Sequence, residues 1–281
     1  MSTDTTHSHQ QLDASVVSPD TAGQKSAQVV EPDSELRRLL KDRQMSNLRK
    51  YKLLMVGDRS YFWLAYYEMV MLFGGIPGLL GLFVRHCLYP SLLQKCGKGV
   101  AFGRNVTIRH PHRICIGDNV VIDDNAVLDA KGDAATTIEI ESNVIVGRNS
   151  SLVCKGGKIH VAENANISLN CTIISESEVN VGRKSLIGGH CYIIGGGNHG
   201  VEMNGVPFVD QPRTQHGGVH ILENCWLGAS TTVLDGTRIG PDAIVGAGAV
   251  VIRDVQEKTV VAGVPATLIS TQPTQLRRRV N

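Results

Sequence analysis

The chain has 281 residues, and its 28 Lys and Arg against 26 Asp and Glu leave a formal net charge of only +2. This balance excludes the strongly basic surface that steers a protein to nucleic acid. Aromatic residues make up 5% of the chain, which is few for a platform on which bases stack. We therefore expect no nucleic-acid partner.

The first 33 residues are rich in Ser, Thr, Gln and His and lack an apolar period, which predicts a disordered tail. Ser34 is a suitable N-cap for a charged helix that continues to Tyr51. The polar N-terminus shows no secretory signal, because no apolar core follows a basic start. Seven cysteines without a CxxC spacing favour a reduced, cytoplasmic protein over a disulfide or zinc framework.

Residues 61–84 form an unusually apolar segment whose one charge is Glu68, with Arg59 and Arg85 at its flanks. Its length suits a membrane helix, but Gly and Pro residues at 74–78 interrupt it. Three interpretations stay open. The segment is a kinked hairpin in the inner leaflet, a helical cap on the domain that follows, or a spanning helix. In the first case the protein is peripheral to the inner face of the membrane.

Residues 219–254 repeat with a period of six, in the blocks VHILEN, CWLGAS, TTVLDG, TRIGPD, AIVGAG and AVVIRD. The first residue of a block is small or β-branched, the third is aliphatic and the sixth turns easily. This period is typical of a solenoid whose short strands are separated by tight corners. The aliphatic positions are Ile221, Leu227, Val233, Ile239, Val245 and Val251.

The same pattern extends upstream to Phe102 or Cys96, and its aliphatic positions group in threes. Extra residues occur only after the third position of a group, so three blocks make one triangular turn and one corner accepts insertions. This spacing predicts about seven turns, stacked about 4.8 Å apart. Asn recurs three residues after the aliphatic position, where a left-handed corner conformation favours it: Asn105, Asn119, Asn125, Asn143, Asn149, Asn164, Asn170 and Asn224.

Three segments of this region resemble the hexapeptide-repeat acyltransferases, most closely the sugar O-acetyltransferases of the galactoside and maltose type. They are NCWLG at 224–228, IVGAGAVV at 244–251 and AGVPA at 262–266. The resemblance implies a left-handed parallel β-helix that assembles as a homotrimer, with one active site at each subunit boundary. We expect a mainly β fold in four parts: a tail (1–33), a helical, partly apolar N-terminal extension (34–95), the β-helix (96–269) and a C-terminal tail (270–281).

His199 is the main catalytic candidate. It lies in the longest insertion, residues 195–217, and the resemblance implies a catalytic His in this loop with an Asn-Gly pair after it, as at Asn204 and Gly205. A neutral imidazole can take the proton of an acceptor hydroxyl that attacks the thioester of acyl-CoA, and can then protonate the leaving thiol. The alternative is an ordinary exposed loop His.

Three other His residues near this loop are weaker candidates. His190 occupies a corner position, and His216 and His220 border the loop. A zinc site at His216 and His220 would need the His spacing of the zinc-dependent carbonic anhydrases that share this fold class, and that spacing is missing. We therefore expect no metal.

The resemblance also implies the binding residues for the two substrates. For acetyl-CoA they are Ala229, Ala247, Ile252 and Arg253, with Arg253 close to a phosphate. For the acceptor they are Ser168, where the family carries Asn, and Glu176. The chain also departs from the family at Thr267 and Ser270, where the sugar acetyltransferases carry Arg, so that residues 277–279 would have to supply the contact to the 3′-phosphate.

Trp226 stands one residue before an inward position, which predicts an outward side chain. The resemblance places this Trp beside the active site at the subunit boundary, and simple packing between subunits is the alternative role.

We therefore predict a CoA-dependent O-acyltransferase, with acetyl-CoA as donor, that acts on a hydroxyl of a saccharide or lipid-linked glycan through a direct ternary complex. An N-acetyltransferase acting on an amino sugar would use the same base and is the enzymatic alternative. A non-catalytic, structural β-helix is the remaining alternative, and it predicts no binding of CoA.

Overall fold

The computed structural model describes residues 28–30, 39, 41–132, 135–200 and 205–271. Three helices, α1 (Asn47–Val56), α2 (Tyr61–Leu72) and α3 (Gly78–Leu88), precede a parallel β-solenoid. In chain order the described strands are β1 (Gln28–Val30), β2 (Lys95–Cys96), β3 (Ala101–Phe102), β4 (Thr107–Arg109), β5 (Ile114–Ile116), β6 (Val121–Ile122), β7 (Val127–Asp129), β8 (Thr137–Ile140), β9 (Ile145–Val146), β10 (Ser151–Cys154), β11 (Lys158–Val161), β12 (Asn166–Ile167), β13 (Thr172–Ser175), β14 (Glu178–Val181), β15 (Leu186–Ile187), β16 (Tyr192–Gly195), β17 (Asn198–His199), β18 (Arg213–Gln215), β19 (Val219–Ile221), β20 (Trp226–Leu227), β21 (Thr232–Val233), β22 (Thr237–Ile239), β23 (Ile244–Val245), β24 (Val250–Val251), β25 (Val260–Ala262) and β26 (Thr267–Ser270).

The parallel strands form three sheets, one for each face of a triangular prism. Sheet I has the order β2-β5-β8-β11-β14-β19-β22, and sheet III has the order β4-β7-β10-β13-β16-β21-β24. Sheet II has the order β3-β6-β9-β12-β15-β20-β23-β25, with β26 antiparallel at its end. Each turn of the chain, or rung, passes from sheet I through sheet II to sheet III.

The solenoid has about eight rungs, one more than the sequence spacing predicts. The sequence predicts that residues 260–265 only cross the end of the stack. Instead, β25 pairs in parallel with β23 and adds a rung, which begins where Val255 bridges to Ile239. The cap is β26, which folds back on β25.

The inward aliphatic positions are buried, as the six-residue period predicts, and Ile122, Leu128 and Leu227 are fully inaccessible. Cys171, Cys191 and Cys225 are buried among them as small apolar side chains. No rung can cover its own inward side chains. The core is therefore stabilised by the stacking of each rung on the next.

The left-handed corners predicted for Asn are confirmed, since all eight predicted Asn residues have φ between 55° and 61°. Along the corner between sheets II and III the amides of Asn105, Asn125, Asn149 and Asn170 form a ladder, with Nδ2-to-Oδ1 distances of 3.3, 3.2 and 3.0 Å. His190 continues the ladder with Nε2 3.3 Å from Nδ2 of Asn170, and its φ is 61°. The corner interpretation of His190 is thus confirmed.

The predicted helix from Ser34 to Tyr51 differs from the observed one. Residues 42–46 are not helical, and α1 begins at Asn47 because the Ser46 side chain accepts a hydrogen bond from Arg49 N. Ser34, most of the predicted tail and residues 277–279 lie outside the described residues. Of the tail, only β1 is described.

The apolar segment folds as two helices that break where Gly and Pro predict, between Leu72 and Gly78. In the part of the chain that the structure describes, no helix combines the length and the apolar character that crossing a bilayer requires.

The helices close the first end of the prism. The Tyr89 ring lies 5.2 Å from the ring of Phe102, an inward residue of the first rung. Arg85, which is buried, donates through Nε to Phe102 O at 2.9 Å and through Nη1 to Ile76 O at 2.7 Å. Ring nitrogen Nδ1 of His86 lies 3.1 Å from Val100 O. The contacts to Phe102 O and Val100 O occupy carbonyls of the first rung that a free sheet edge would expose.

Replacing Arg85 by Leu should lower the free energy of unfolding by about 2–4 kcal/mol, because it leaves buried carbonyls without donors. Denaturant unfolding of the purified protein measures this loss. Arg104→Leu, at an exposed corner of the first rung, should change the free energy of unfolding by less than about 0.5 kcal/mol. Equal losses for the two variants would contradict the role assigned to Arg85.

Candidate active site

The long insertion leaves the prism where sheet III passes to sheet I, a corner called the III–I corner below, between the fifth and sixth rungs. Its two described ends form an antiparallel pair, β17 with β18, in which His199 is opposite Arg213. Strand β1 lies on the other edge of β18, with Val30 opposite Arg213. His199 is exposed on this small sheet. Asn204 lies outside the described residues.

A buried carboxylate anchors both ends of the insertion. Asp235 lies at the III–I corner of the sixth rung, and its side chain is 1% exposed. It accepts hydrogen bonds from the backbone nitrogens of His216 at 2.7 Å and Gly218 at 2.9 Å. It also accepts from Nδ2 of Asn198 at 3.1 Å. The residue that precedes His199 is thereby tied to the rung above it.

His216 is a second imidazole at this site. Its Nδ1 lies 3.1 Å from Nδ2 of Asn198 and 3.3 Å from Oδ2 of Asp235. The ring is half exposed, and its orientation is set by a buried carboxylate, which is the arrangement that prepares a His for proton transfer. The structure thus strengthens a candidate that the sequence ranks low.

Glu176 forms the other wall of the insertion, at the III–I corner of the fourth rung. Its carboxylate accepts from Nη1 of Arg213 at 2.8 Å and lies 3.5 Å from Nζ of Lys155. Its backbone oxygen accepts from Nε2 of Gln215 at 2.8 Å. Glu176 is therefore tied to β18, the strand that pairs with His199.

The other predicted residues lie elsewhere on the prism. Ser168 is at the corner between sheets II and III, where Ala229 and Ala247 lie in higher rungs and are exposed. Ile252 and Arg253 follow β24 at the III–I corner and are exposed too. The structure therefore brings together His199 and Glu176, and it separates Ser168 from both by the width of sheet III.

Trp226 faces outward from sheet II, as predicted, and is 52% exposed. Sheet II is the face opposite the III–I corner, so within one protomer Trp226 and His199 lie on opposite sides of the prism. Trp226 belongs to a stripe of outward side chains on this sheet that is mostly apolar, with Asn166 as the polar member. Four apolar members are between 39% and 52% exposed: Val121, Ile145, Leu186 and Trp226.

Sequence reasoning missed Asp235, Asn198 and Arg213. Asp235 is the fifth residue of the block TTVLDG, beside the closing Gly236, where an Asp is typical of a turn. A signal was nevertheless present, because Asp235 occupies the insertion-tolerant corner of the rung next to the longest insertion. Polar residues at that corner in adjacent rungs necessarily face the loop.

Through its ring nitrogens, His220 contacts other groups than His216 does. Its Nδ1 lies 3.0 Å from Nδ2 of Asn180 and its Nε2 lies 3.0 Å from Gly217 O. Across the described ranges no cluster of three or more His, Cys, Asp or Glu has the arrangement of a metal site.

A family model matches the region of the six-residue repeat, and several known proteins are similar to the chain. Residues 218–253 match the family model described as bacterial transferase hexapeptide (six repeats). The chain is 36% identical over 119 residues to a protein of Escherichia coli provisionally named lipopolysaccharide biosynthesis O-acetyl transferase WbbJ, covering 40% of this chain and 60% of that protein. It is 32% identical over 112 residues to the galactoside O-acetyltransferase of Lactococcus lactis, covering 39% and 52%.

Among solved structures, the polysialic acid O-acetyltransferase OatWY is similar at 17% identity and a TM-score of 0.47, over 63% of this chain and 85% of that chain. The chain spans little more than half the length of the curated relatives it matches. The family-model match and the two sequence relatives confirm the resemblance to hexapeptide-repeat acyltransferases of the sugar O-acetyltransferase type, and the chain carries the hexapeptide repeat of bacterial transferases.

Replacing Asp235 by Ala should loosen the insertion locally, because two backbone N–H groups lose a buried acceptor at a cost of about 1–3 kcal/mol each. Amide hydrogen exchange at His216 and Gly218 should accelerate by about tenfold or more. Asp254→Ala, which removes a single exposed carboxylate contact to Arg238 N, is the matched control and should leave those two amides protected. Unchanged exchange in the Asp235 variant would show that the anchor is unimportant.

Proposed function

We propose that this protein transfers an acyl group, with acetyl-CoA as donor, to a hydroxyl of a saccharide, and that His199 is the general base. The observation that carries the proposal is an exposed imidazole on a small sheet that Asp235 and Glu176 hold to the prism from both sides. The names of the matched relatives point to the same chemistry. The acceptor is either free in solution or carried by a lipid, and residues 61–84 are the part of the chain that would meet a membrane.

The reaction requires one base and no covalent enzyme intermediate. His199 takes the proton of the acceptor hydroxyl as the hydroxyl oxygen attacks the thioester carbonyl. The tetrahedral adduct then collapses, the carbon–sulfur bond breaks, and the protonated imidazole gives its proton to the CoA thiolate. The products are the acyl ester and free CoA, with His199 neutral again. Backbone N–H groups are the natural donors to the oxyanion.

The acceptor would lie against the cluster formed by Glu176, Arg213 and Lys155. These groups are partly buried and already paired, so they offer a fixed set of donors and acceptors to sugar hydroxyls. Ser168 belongs to the proposed acceptor surface as well, although it lies across sheet III. For CoA, the exposed Ala229 and Ala247 would leave room for the pantetheine arm, and Ile252 and Arg253 complete the proposed set.

The position of Trp226 favours a site shared between protomers. An exposed apolar stripe on one face of a prism is an unusual feature for an isolated monomer, and Trp226 lies at its upper part. In a homotrimer the stripe would be covered, and the Trp226 of one protomer would lie beside the His199 loop of its neighbour. Each trimer would then have three identical sites, one at each boundary.

Replacing His199 by Ala should lower kcat for acyl transfer by about 10²–10⁴-fold, because the attacking hydroxyl loses its proton acceptor. The KM for acetyl-CoA should change little, since His199 is not among the proposed CoA residues. Steady-state release of CoA with a saccharide acceptor measures both. His190→Asn is the control, because Asn suits that left-handed corner. Full activity of His199→Ala would remove the assignment, and a loss only in His216→Ala would move the base to His216.

A mixed-trimer experiment tests the shared site. Trp226→Ala and His199→Ala chains should each have low activity alone. Hybrids purified through two different affinity tags after co-expression should have one intact site of the three, and so about a third of wild-type activity. Restoration requires that the two residues act from different protomers. Absence of restoration in hybrids of confirmed composition would contradict the shared site, as would a monomer in sedimentation velocity.

A further inference from the structure

Helices α2 and α3 expose an apolar surface that no other described part of the chain covers. The outward positions of α2 are spaced by three or four residues and carry Phe62, Ala65, Met69 and Leu72. A helix that faces water normally has polar residues on that face. Three side chains show how little is covered: Phe62 and Leu72 are each 78% exposed and Leu79 is 82% exposed. The hairpin surface comprises Phe62, Met69, Leu72, Leu79, Leu80 and Phe83.

The positive charge of the chain is concentrated beside this surface. Residues 41–60 contain six Lys or Arg and two Asp or Glu, whereas the rest of the chain has 22 basic and 24 acidic residues. This basic segment includes α1, which packs against α2. Arg43 and Arg49 are exposed, and the guanidinium of Arg59 lies 4.8 Å from the centroid of the Trp63 ring at the start of α2. The net positive charge of the protein therefore comes entirely from its helical end.

We infer that the hairpin surface binds an anionic lipid bilayer, with α2 and α3 lying in the interface and α1 at the headgroups. Apolar side chains beside basic ones are the combination that holds a protein on such a membrane. A second copy of this chain suits the surface less well, because end-to-end contact would bring two basic segments together. The one acidic residue of α2, Glu68, is directed toward α1, where its carboxylate accepts a hydrogen bond from the Tyr51 hydroxyl at 2.6 Å.

This docking sets the height of the transfer site above the lipid. His199 leaves the stack four rungs above the first, which is about 20 Å at the spacing of paired strands. The helices add about 10 Å. If the proposed function holds, a lipid-borne acceptor must therefore carry its reacting hydroxyl about 30 Å from the bilayer. The acceptor class is then a membrane-anchored oligosaccharide or polysaccharide, and a single sugar on a lipid headgroup is too short.

The test is flotation of the full-length protein with phosphatidylcholine vesicles, with and without phosphatidylglycerol. Wild-type protein should float with the anionic vesicles. The triple variant Leu72→Ser, Leu79→Ser, Phe83→Ser should bind them about tenfold or more weakly, because three exposed apolar side chains are lost. Leu268→Ser with Ile269→Ser, at exposed positions on the opposite end of the prism, is the matched control and should float like wild type.

Charge is tested separately with Arg43→Gln and Arg49→Gln. This double variant should lose affinity for anionic vesicles by about 30-fold, if each side chain contributes about 1 kcal/mol. Raised salt should lower the affinity of the wild-type protein for these vesicles as well. Failure of the wild-type protein to float would overturn the inference. Equal flotation of the triple variant and the wild-type protein would also overturn it. So would an assembly larger than a trimer that sedimentation velocity detects, that depends on the hairpin surface and that occurs without vesicle binding.

Acyl transfer to a water-soluble saccharide separates this inference from the proposed function. The triple variant should retain wild-type kcat on that acceptor, because the hairpin surface lies at the far end of the stack from His199. Protein that floats but never transfers an acyl group would refute the proposed function and leave the docking intact. Protein that transfers but does not float would refute the docking alone.

Discussion

The structure depends on one constraint: no rung of the prism can bury its own inward side chains, so every rung must stack in register on the next. Register is kept by corner residues in the left-handed conformation, which Asn adopts at low cost and which Lys184, His190 and Ser230 adopt here as well. Two corners of each rung are fixed in this way. The third, between sheets III and I, has left-handed residues too, such as His110, Gly157 and Gly236, but its length varies from rung to rung. All long insertions leave from this corner.

The candidate site follows from that geometry. Residues from different rungs share the III–I corner: Glu176 from the fourth, the His199 strand from the insertion after the fifth, and Asp235 from the sixth. The stack below and above holds these groups at fixed heights, and hydrogen bonds to Asp235 and to the Glu176 backbone oxygen hold the two strands of the insertion between them. An otherwise long loop is thus attached to a rigid frame, and the attached part includes the exposed His199.

Much of the fold could be predicted from the sequence, because the six-residue period recurs along the whole prism. The inward positions, the Asn corners, the one corner with insertions and the break in the apolar segment were all readable from residue type and spacing. The eighth rung was missed because Val255 follows Val251 by only four residues, which interrupts the six-residue count. Val255, the left-handed corner at Lys258 and Val261 then resume the pattern. The contacts of Asp235, Asn198 and Arg213 were hidden because their partners lie 37 residues away along the chain. In the proposed homotrimer, the location of Trp226 relative to His199 would depend on a neighbouring protomer, which no pattern within one chain displays.

A crystal structure of the protein with CoA and a saccharide acceptor tests the central claim most directly. We expect CoA in a cleft between two protomers, with its sulfur and an acceptor hydroxyl both within about 3–4 Å of the His199 ring. The indole of Trp226 from the adjoining protomer should line the same cleft. A CoA sulfur bound within one protomer, far from the III–I corner and from His199, would contradict it.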